Sequence, residues 1–257
     1  MAAALRQWRP RHAPQRFMDK PQAEARVQLD FYARQADGFV DVPFGPCEAD
    51  FALPFVVGQI RMRGYESMLD VGAGMGRALA LIARHAPLKR MVGLEPSAEM
   101  RALARRHYGF SEEDFVDGDA TALPFADREF DVVAEFATLH HVRQPRLALQ
   151  EMIRVARHAV VVADVNNFGQ GSKPARRVKQ MLKALGLWRA FDLLRTGGKG
   201  YHVTENDGLW YSYSLFNDID LLREAFETVH VLNATGSSLD HYRDAPGGMI
   251  FAFNRRS

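Results

Sequence analysis

Short apolar runs and helical apolar stripes alternate through the middle of the chain. The runs predict five strands, and the stripes predict a helix after most of them. The run at 159–165 is apolar at nearly every position, as in parallel strands that are covered on both faces. The pattern therefore predicts an α/β fold in which an open parallel sheet lies between two layers of helices. The strands are predicted at 67–71, 91–94, 114–117, 130–134 and 159–165, and the helices at 77–85, 98–107 and 145–158.

The N-terminal quarter of the chain predicts helices rather than strands. Residues 21–65 carry apolar side chains at helical spacing and predict an N-terminal helical cap, broken into two helices at 41–46. The first 20 residues are basic, and we expect a flexible terminus there. A mitochondrial transit peptide is the alternative interpretation, although Pro10 and Pro14 interrupt any helix in this segment.

The C-terminal third changes rhythm again. After Asn167, a glycine-rich insertion follows the fifth strand and contains one basic amphipathic helix, predicted over 173–195. A helix near 218–226 and two strands near 229–232 and 249–253 predict an antiparallel pair at the sheet edge. The predicted segments are thus 1–20, 21–65, 66–167, 168–216 and 217–257.

Composition narrows the class of protein. The chain has 33 Lys and Arg against 31 Asp and Glu, so it lacks the basic excess that is typical of nucleic-acid binders. Its one cysteine, Cys47, excludes a disulfide within the chain and a cysteine-based zinc site. No apolar run reaches the length of a membrane span. We therefore expect a cytoplasmic protein with no nucleic-acid partner, and since the histidines show no metal-ligand spacing we expect no metal.

A glycine-rich turn follows the first predicted strand. Residues 69–76 read Leu-Asp-Val-Gly-Ala-Gly-Met-Gly, which is a strand-to-helix turn of the kind that brings backbone close to a ligand. Position 77 is arginine, so the third glycine of a dinucleotide fingerprint is missing, and no P-loop lysine follows. The turn therefore predicts a nucleoside site that is not built for a pyrophosphate.

Three acids accompany this turn at the ends of successive strands. Asp70 precedes the glycines, Glu95 ends the second strand, and Asp119 follows the third. A carboxylate at position 95 can accept hydrogen bonds from both hydroxyls of a ribose, and one at 119 can accept from the amine of adenine. Three acids around one site would repel a pyrophosphate and favour a cationic ligand. Asp119 has a second interpretation, as the cap of a turn that starts at Ala120.

These residues resemble the class I S-adenosylmethionine-dependent methyltransferases, and in particular the small-molecule type 11 group. Four motifs appear in that family's order over residues 66–165. The resemblance implies a Rossmann-like, seven-stranded, mostly parallel sheet of order 3-2-1-4-5-7-6, with the last strand antiparallel. The motifs are Asp70–Gly76, Gly93–Ser97, Gly118–Phe125, and Phe130–Val133 with Leu139–Val142.

The resemblance also implies the cosubstrate and its contacts. S-adenosylmethionine would place its methionine part near the glycine turn, its ribose on Glu95, its adenine edge at Asp119, and its sulfonium near the exit of the fourth strand. The implied contact residues are Asp70, Gly72, Ala73, Gly74, Gly76, Glu95, Pro96, Asp119, Ala120, Glu135 and Phe136.

The acceptor and the base are less defined. His141 and His202 are candidate bases because histidine titrates near neutral pH. Trp210, Tyr211 and Tyr213 are candidate acceptor contacts, since aromatic rings stack on ligands. The sequence thus predicts methyl transfer to a small or amphiphilic molecule, at oxygen.

Other interpretations of the chain stay open. The rival functions are an NAD(P)-dependent oxidoreductase and a nucleoside-binding partner protein without catalysis. We expect a monomer or homodimer. A peripheral membrane contact through the basic helix at 173–195 is the alternative to a solvated helix face.

Overall fold

A computed structural model describes residues 20–35, 38, 48–205, 207–234 and 240–254. The basic N-terminal segment and Cys47 lie outside these residues. The helices are α1 (Lys20–Gln35), α2 (Glu48–Arg63), α3 (Arg77–His85), α4 (Ala98–Tyr108), α5 (Pro145–Val155), α6 (Lys173–Ala184), α7 (Trp188–Arg195), α8 (Ile219–Ala225) and α9 (His241–Asp244). The strands are β1 (Ser67–Val71), β2 (Arg90–Leu94), β3 (Phe115–Val116), β4 (Phe130–Phe136), β5 (Ala156–Val165), β6 (His202–Thr204), β7 (Gly208–Trp210), β8 (Thr228–Asn233) and β9 (Gly247–Phe253).

Seven strands form one sheet in the order β3-β2-β1-β4-β5-β9-β8. Strands β1 to β5 pair in parallel, and β9 runs antiparallel to both β5 and β8. The predicted order, the antiparallel last strand and the α/β class are therefore confirmed. The remaining strands, β6 and β7, form a separate hairpin that the sequence pattern did not predict.

Apolar side chains fill both faces of the sheet, as the patterning requires. Alternate strand residues point to opposite sides, so Leu69 and Val133 pack with α5 on one face, while Met68 and Val132 pack with α2 and α3 on the other. Both clusters are almost fully buried. The sheet is thus a doubly covered platform, and the carboxyl ends of β1, β2, β4 and β5 meet at one edge.

Two predicted helices differ from the observed ones, one in where it ends and the other in being divided. The helix at 145–158 stops at Val155, because Ala156 is extended and the chain enters β5 directly. The single basic helix at 173–195 is wrong: it is two helices, α6 and α7, joined by a turn at 185–187. Gly186 lies in that turn with a φ of 71°, a backbone conformation that glycine adopts without strain.

Candidate functional site

The glycine turn forms a narrow shelf at the carboxyl end of β1. The Gly72 amide donates to the Leu94 carbonyl at 2.8 Å, and a Cβ on Gly72 would lie 2.3 Å from the Thr138 side chain, so only glycine fits there. Gly74 has a φ of 55°, and its missing Cβ faces open space, with no atom of the described residues within 4 Å. A ligand could therefore approach the backbone of the loop closely at Gly74.

Three buried carboxylates stand beside this shelf. Asp70, Glu95 and Glu135 are 2%, 4% and 0% exposed, at the ends of the adjacent strands β1, β2 and β4. Glu95 accepts hydrogen bonds from the Gly74 and Ser97 amides at 2.9 and 2.8 Å, and Glu135 accepts one from the Thr138 amide at 2.8 Å. The Oδ1 atom of Asp70 and the Oε1 atom of Glu135 have no hydrogen-bond partner within the described residues.

The proton affinities of these acids reflect their crowding. Burial, reinforced by the charge of Glu95, raises the pKa of Asp70 to about 8. Burial also raises the pKa of Glu95 and, together with the charge of Asp164, that of Glu135. Buried acids with unsatisfied oxygens are unfavourable unless a cation or a donor compensates them. The site is therefore suited to a ligand that carries positive charge.

The raised pKa of Asp70 predicts a stability effect in the ligand-free protein. Between its ordinary value of 3.8 and about 8, the unfolded chain releases the Asp70 proton while the folded chain keeps it, so stability falls as pH rises through this window. Asn cannot ionise. We expect Asp70→Asn to raise the free energy of unfolding by about 1–4 kcal/mol near pH 8, at about 1.4 kcal/mol per pKa unit.

Urea unfolding at pH 5 and pH 8 measures this difference, which should grow with pH. Glu113→Gln is the matched control, because the Glu113 side chain is exposed to water in the folded protein as it is in the unfolded chain. Identical pH dependence of Asp70→Asn and the unsubstituted chain would show that Asp70 is ionised in the folded protein.

The remaining predicted contact residues are less enclosed. Asp119 is exposed, and its Oδ1 atom accepts from the amide and the hydroxyl of Thr121, both at 2.8 Å, so it caps a turn in the free protein. Pro96 is exposed, and Ala73 is buried. Ala120 and Phe136 are partly buried. The assignment of these residues to ligand contacts stays a prediction.

A buried histidine–carboxylate pair lies beside Glu135. After β4 the chain turns through Ala137, which has a φ of 61°, a strained conformation for a residue with a Cβ. A short 3₁₀ turn then places His140 over the carboxyl end of β5. The Nδ1 atom of His140 lies 2.6 Å from Oδ1 of Asp164, and the two residues are 4% and 0% exposed. Asp164 thereby fixes the imidazole, and Nε2 is the atom left free to exchange a proton.

A second carboxylate faces this pair from the loop before β7. Oδ2 of Asp207 lies 3.4 Å from Nε2 of His140, and Oδ1 lies 3.5 Å from Nε2 of His141. The Nε2 atom of His140 makes no hydrogen bond within the described residues. Burial lowers the pKa of His140, but the Asp164 and Asp207 carboxylates outweigh it and raise that pKa well above its usual value.

The three groups also meet the distance requirement of a metal site, which the sequence did not indicate. One ligand atom from each of His140, His141 and Asp207 lies within 4.8 Å of the others. Burial raises the pKa of Asp207, but the two histidines that face its oxygens reverse this and lower it. His140 thus lies as an imidazolium between the carboxylates of Asp164 and Asp207.

Helix α1 covers the opening between the glycine shelf and the histidines. Gln28 accepts from the Leu209 amide at 2.6 Å, and Glu24 pairs with Arg143 at 2.6 Å. The Tyr32 ring meets the His141 ring edge to face at 6.3 Å. Burial raises the pKa of Tyr32, with smaller contributions from Glu95 and Asp207. Tyr32 also packs against the cluster that contains Met75 of the glycine turn, so the helix contacts both halves of the site.

The predicted acceptor residues reach three different surroundings. His202 stacks on Trp210 at 4.4 Å, and its Nε2 atom lies 2.8 Å from Nη2 of Arg195. The Tyr211 hydroxyl donates to Glu24 at 2.6 Å. Tyr213 is buried in the main core, where burial first and then the charges of Asp164 and Glu135 raise its pKa. The rings therefore do not form one stacking platform, and their role as acceptor contacts stays a prediction, as does His202 as a base.

Three residues of this site were not singled out from the sequence. Of the adjacent histidines, the sequence indicated His141, whereas the structure gives His140 the carboxylate partner. Asp164 carried a usable signal, since it is the one charged residue in the apolar run 159–165 and lies at its carboxyl end. Asp207 carried none, because a polar residue in a polar loop is ordinary.

Comparisons with known proteins agree with this geometry. Residues 69–163 match the family model described as a methyltransferase domain. A demethylmenaquinone methyltransferase from Renibacterium salmoninarum is 39% identical over 104 residues, 40% of this chain and 42% of the relative. A fatty-acid O-methyltransferase from Mycolicibacterium smegmatis is 32% identical over 90 residues, 35% of this chain and 33% of the relative. The chain therefore spans well under half the length of these curated relatives.

A solved structure shares the fold over most of the chain. An S-adenosylmethionine-dependent methyltransferase from Thermotoga maritima superposes with a TM-score of 0.51 and 20% identity, covering 90% of this chain and all of that protein. At this identity the likeness supports the fold alone. The matched segment carries the glycine shelf, the buried acids and the histidine turn. Residues 69–163 are thus similar to a methyltransferase domain, and the chain shares the fold of that solved methyltransferase.

Proposed function

We propose that this protein transfers the methyl group of S-adenosylmethionine to an oxygen of a small, amphiphilic acceptor. The observation that carries the proposal is the buried His140–Asp164 pair at the same sheet edge as the glycine shelf. Methylation of a hydroxyl oxygen removes its proton, and an oriented imidazole beside the glycine shelf is placed to accept it. The 2.6 Å contact to Asp164 holds the ring in one tautomer.

The residues present fit S-adenosylmethionine. The uncompensated oxygens of Asp70 and Glu135 suit a molecule with an ammonium and a sulfonium. Glu95 uses one lone pair on each oxygen for the Gly74 and Ser97 amides, so it keeps acceptor capacity for ribose hydroxyls. The open space over Gly74 leaves room for the ligand against the backbone.

The chemistry divides between the cosubstrate and the chain. When bound, S-adenosylmethionine supplies a methyl group already activated on sulfur. The acceptor oxygen forms the new bond to that carbon as the carbon–sulfur bond breaks, and S-adenosylhomocysteine leaves. Nε2 of His140 takes the acceptor proton, while the carboxylate of Asp164 stabilises the resulting imidazolium. Helix α1 excludes water from the reacting groups, and positioning supplies much of the rate.

The class of acceptor draws support from the relatives. Their names state demethylmenaquinone and fatty acids as acceptors, and both are largely apolar molecules with few polar atoms. His140 offers one oriented imidazole at a largely covered edge of the sheet, which suits an acceptor with one reactive oxygen. By an amphiphilic acceptor we mean a largely apolar molecule that carries a polar oxygen group.

The histidine network predicts how turnover depends on pH. His140 must be neutral at Nε2 to accept a proton, and the two carboxylates hold its pKa above the usual range. Turnover should therefore rise with pH above neutrality. Asp207→Asn removes one of these charges and lowers the pKa, so we expect the rising limb to move about one pH unit towards acid.

Initial rates from pH 6 to pH 10 measure this shift, with cofactor affinity followed at each pH. Asp220→Asn is the matched control, because Asp220 is a half-exposed acid that pairs with Arg146 away from the histidines. If the rising limb of the pH–rate profile does not shift in Asp207→Asn, His140 is not the base whose titration controls turnover.

Transfer of a labelled methyl group tests the function itself. Protein, tritiated S-adenosylmethionine and a panel of fatty acids, quinols and soluble phenols are incubated, and label in the extracted product is counted. The proposal expects label on an oxygen of an amphiphilic member. Binding of the cosubstrate with no transfer to any member, or label on carbon or nitrogen alone, contradicts it.

A further inference from the structure

Helix α6 lies on the protein with its polar side inward. Gln180 donates to the Phe168 carbonyl at 2.9 Å, Arg176 donates to the Asp244 carbonyl at 3.1 Å, and Lys183 donates to Asn217 at 2.6 Å. Lys179 contacts the Asn167 carbonyl. These four side chains recur at helical spacing on one face. The inner face of this amphipathic helix is therefore its polar face, the reverse of an ordinary surface helix.

The outer face of α6 and α7 is apolar. Val178, Met181 and Leu185 are 48%, 55% and 63% exposed and form one stripe. On α7, Trp188 and Asp192 turn inward and are buried. A second apolar stripe faces outward and consists of Leu187, Phe191 and Leu194, which are 51%, 40% and 82% exposed. Large apolar side chains exposed together mark an interaction surface rather than random surface variation.

The charge of residues 173–199 indicates which kind of partner fits this surface. Residues 173–199 contain eight basic residues and one acid. The acid, Asp192, is buried and pairs with Arg195 at 2.9 Å. Exposed basic side chains flank the apolar stripes at Lys173, Arg177 and Arg189. Within residues 173–199 cations frame the apolar side chains and no acid is exposed, which complements an anionic lipid surface.

We propose that the apolar face of α6 and α7 docks on membranes that contain anionic lipids. The six apolar side chains would enter the boundary between headgroups and acyl chains, and the flanking cations would meet the headgroup phosphates. A second copy of the chain would place two such basic surfaces against each other, which is unfavourable. The chain's own first 18 residues carry arginine and no acid, so they do not complement the surface either. None of the described helices is long and apolar enough to cross a membrane.

The surface adjoins the candidate site. Trp188 on α7 packs edge to face on Phe168 at 5.3 Å, three residues beyond the end of β5, and Asp192 accepts from Ser212 at 2.8 Å. A docked molecule would thus hold the carboxyl edge of the sheet close to the lipid. Docking itself is independent of the proposed function, and only its use, capture of an amphiphilic acceptor from the bilayer, rests on that function.

Vesicle co-sedimentation of the full chain tests the proposal. We expect binding to vesicles of phosphatidylglycerol and phosphatidylcholine, and at least about tenfold weaker binding to phosphatidylcholine alone. The double variant Leu187→Asp/Leu194→Asp should lose at least about tenfold in affinity for the anionic vesicles. The double variant Arg177→Glu/Arg189→Glu should lose a similar amount of affinity for the anionic vesicles. Added salt should weaken the binding of the unsubstituted chain to these vesicles, because it screens the attraction between the cations and the headgroups.

Met62→Asp is the matched control, because Met62 is 69% exposed on α2, outside this surface. Equal binding to neutral and anionic vesicles, or unchanged binding of both double variants, would overturn the proposal. Light scattering on the same samples identifies the competing occupant: a dimer that the leucine variant dissociates assigns the surface to a second copy and also overturns it. Calorimetric binding of S-adenosylmethionine by the variants separates failure here from failure of the proposed function.

Discussion

Replacing His140 with alanine is expected to lower turnover about 10²–10⁴-fold and to leave affinity for S-adenosylmethionine unchanged. The imidazole is held by Asp164 at 2.6 Å and lies next to, not within, the glycine shelf. It therefore acts on the acceptor proton and not on cosubstrate binding. Steady-state rates with labelled cosubstrate, together with calorimetry, measure the two effects separately.

The adjacent residue supplies the matched control. The Nδ1–H group of His141 donates to the Leu209 carbonyl at 2.6 Å, and among the described residues His141 has no buried carboxylate partner of its own. His141→Ala should lose much less turnover than His140→Ala. Asp164→Asn should follow His140→Ala, because the ring loses its oriented tautomer. Full activity in His140→Ala, or a large loss confined to His141→Ala, would reassign the base.

Substituting Gly74 with valine should abolish detectable binding of S-adenosylmethionine. The missing Cβ at Gly74 points into the space above the shelf, where the described part of the chain places no atom within 4 Å, so the branched side chain would occupy the ligand's place. The left-handed backbone adds about 1–2 kcal/mol of strain, and the valine side chain excludes the ligand from the space that it fills. We expect affinity to fall at least about 100-fold.

The strain at Gly74 can be separated from the obstruction. Gly109 has a φ of 74° and likewise no atom within 4 Å of its missing Cβ, but it follows the C-terminus of α4, at the opposite edge of the sheet. Gly109→Val should therefore lose similar stability in urea and keep cosubstrate affinity. Equal loss of affinity in both variants would show that Gly74 acts through folding alone.

The strands and helices of the sheet could be predicted from the sequence because their signals are local. Apolar runs such as 159–165 are strands whatever surrounds them, and the glycine turn marks the end of β1. Glu95 could be predicted at the site for the same reason, since the carboxyl ends of parallel strands share one edge. The resemblance then supplied the order of the strands.

What the sequence did not indicate depends on contacts between distant residues. His140 and His141 are neighbours in the chain, and only the position of Asp164 distinguishes them. Asp207 approaches both from a loop more than 60 residues away. The break at Gly186 was hidden because apolar spacing continues across it, so two helices resembled one. The inward polar face of α6 likewise depends on carbonyl groups near Phe168.

Calorimetric titration of the purified chain tests the central claim, that the glycine shelf and its buried acids bind S-adenosylmethionine. We predict one binding site per chain for S-adenosylmethionine and for S-adenosylhomocysteine, and no heat with NADH. Glu95→Ala should weaken both by about 1–3 kcal/mol, the free energy of a lost charge-assisted hydrogen bond. Absence of binding by both sulfur compounds, accompanied by binding of NADH, would contradict the claim.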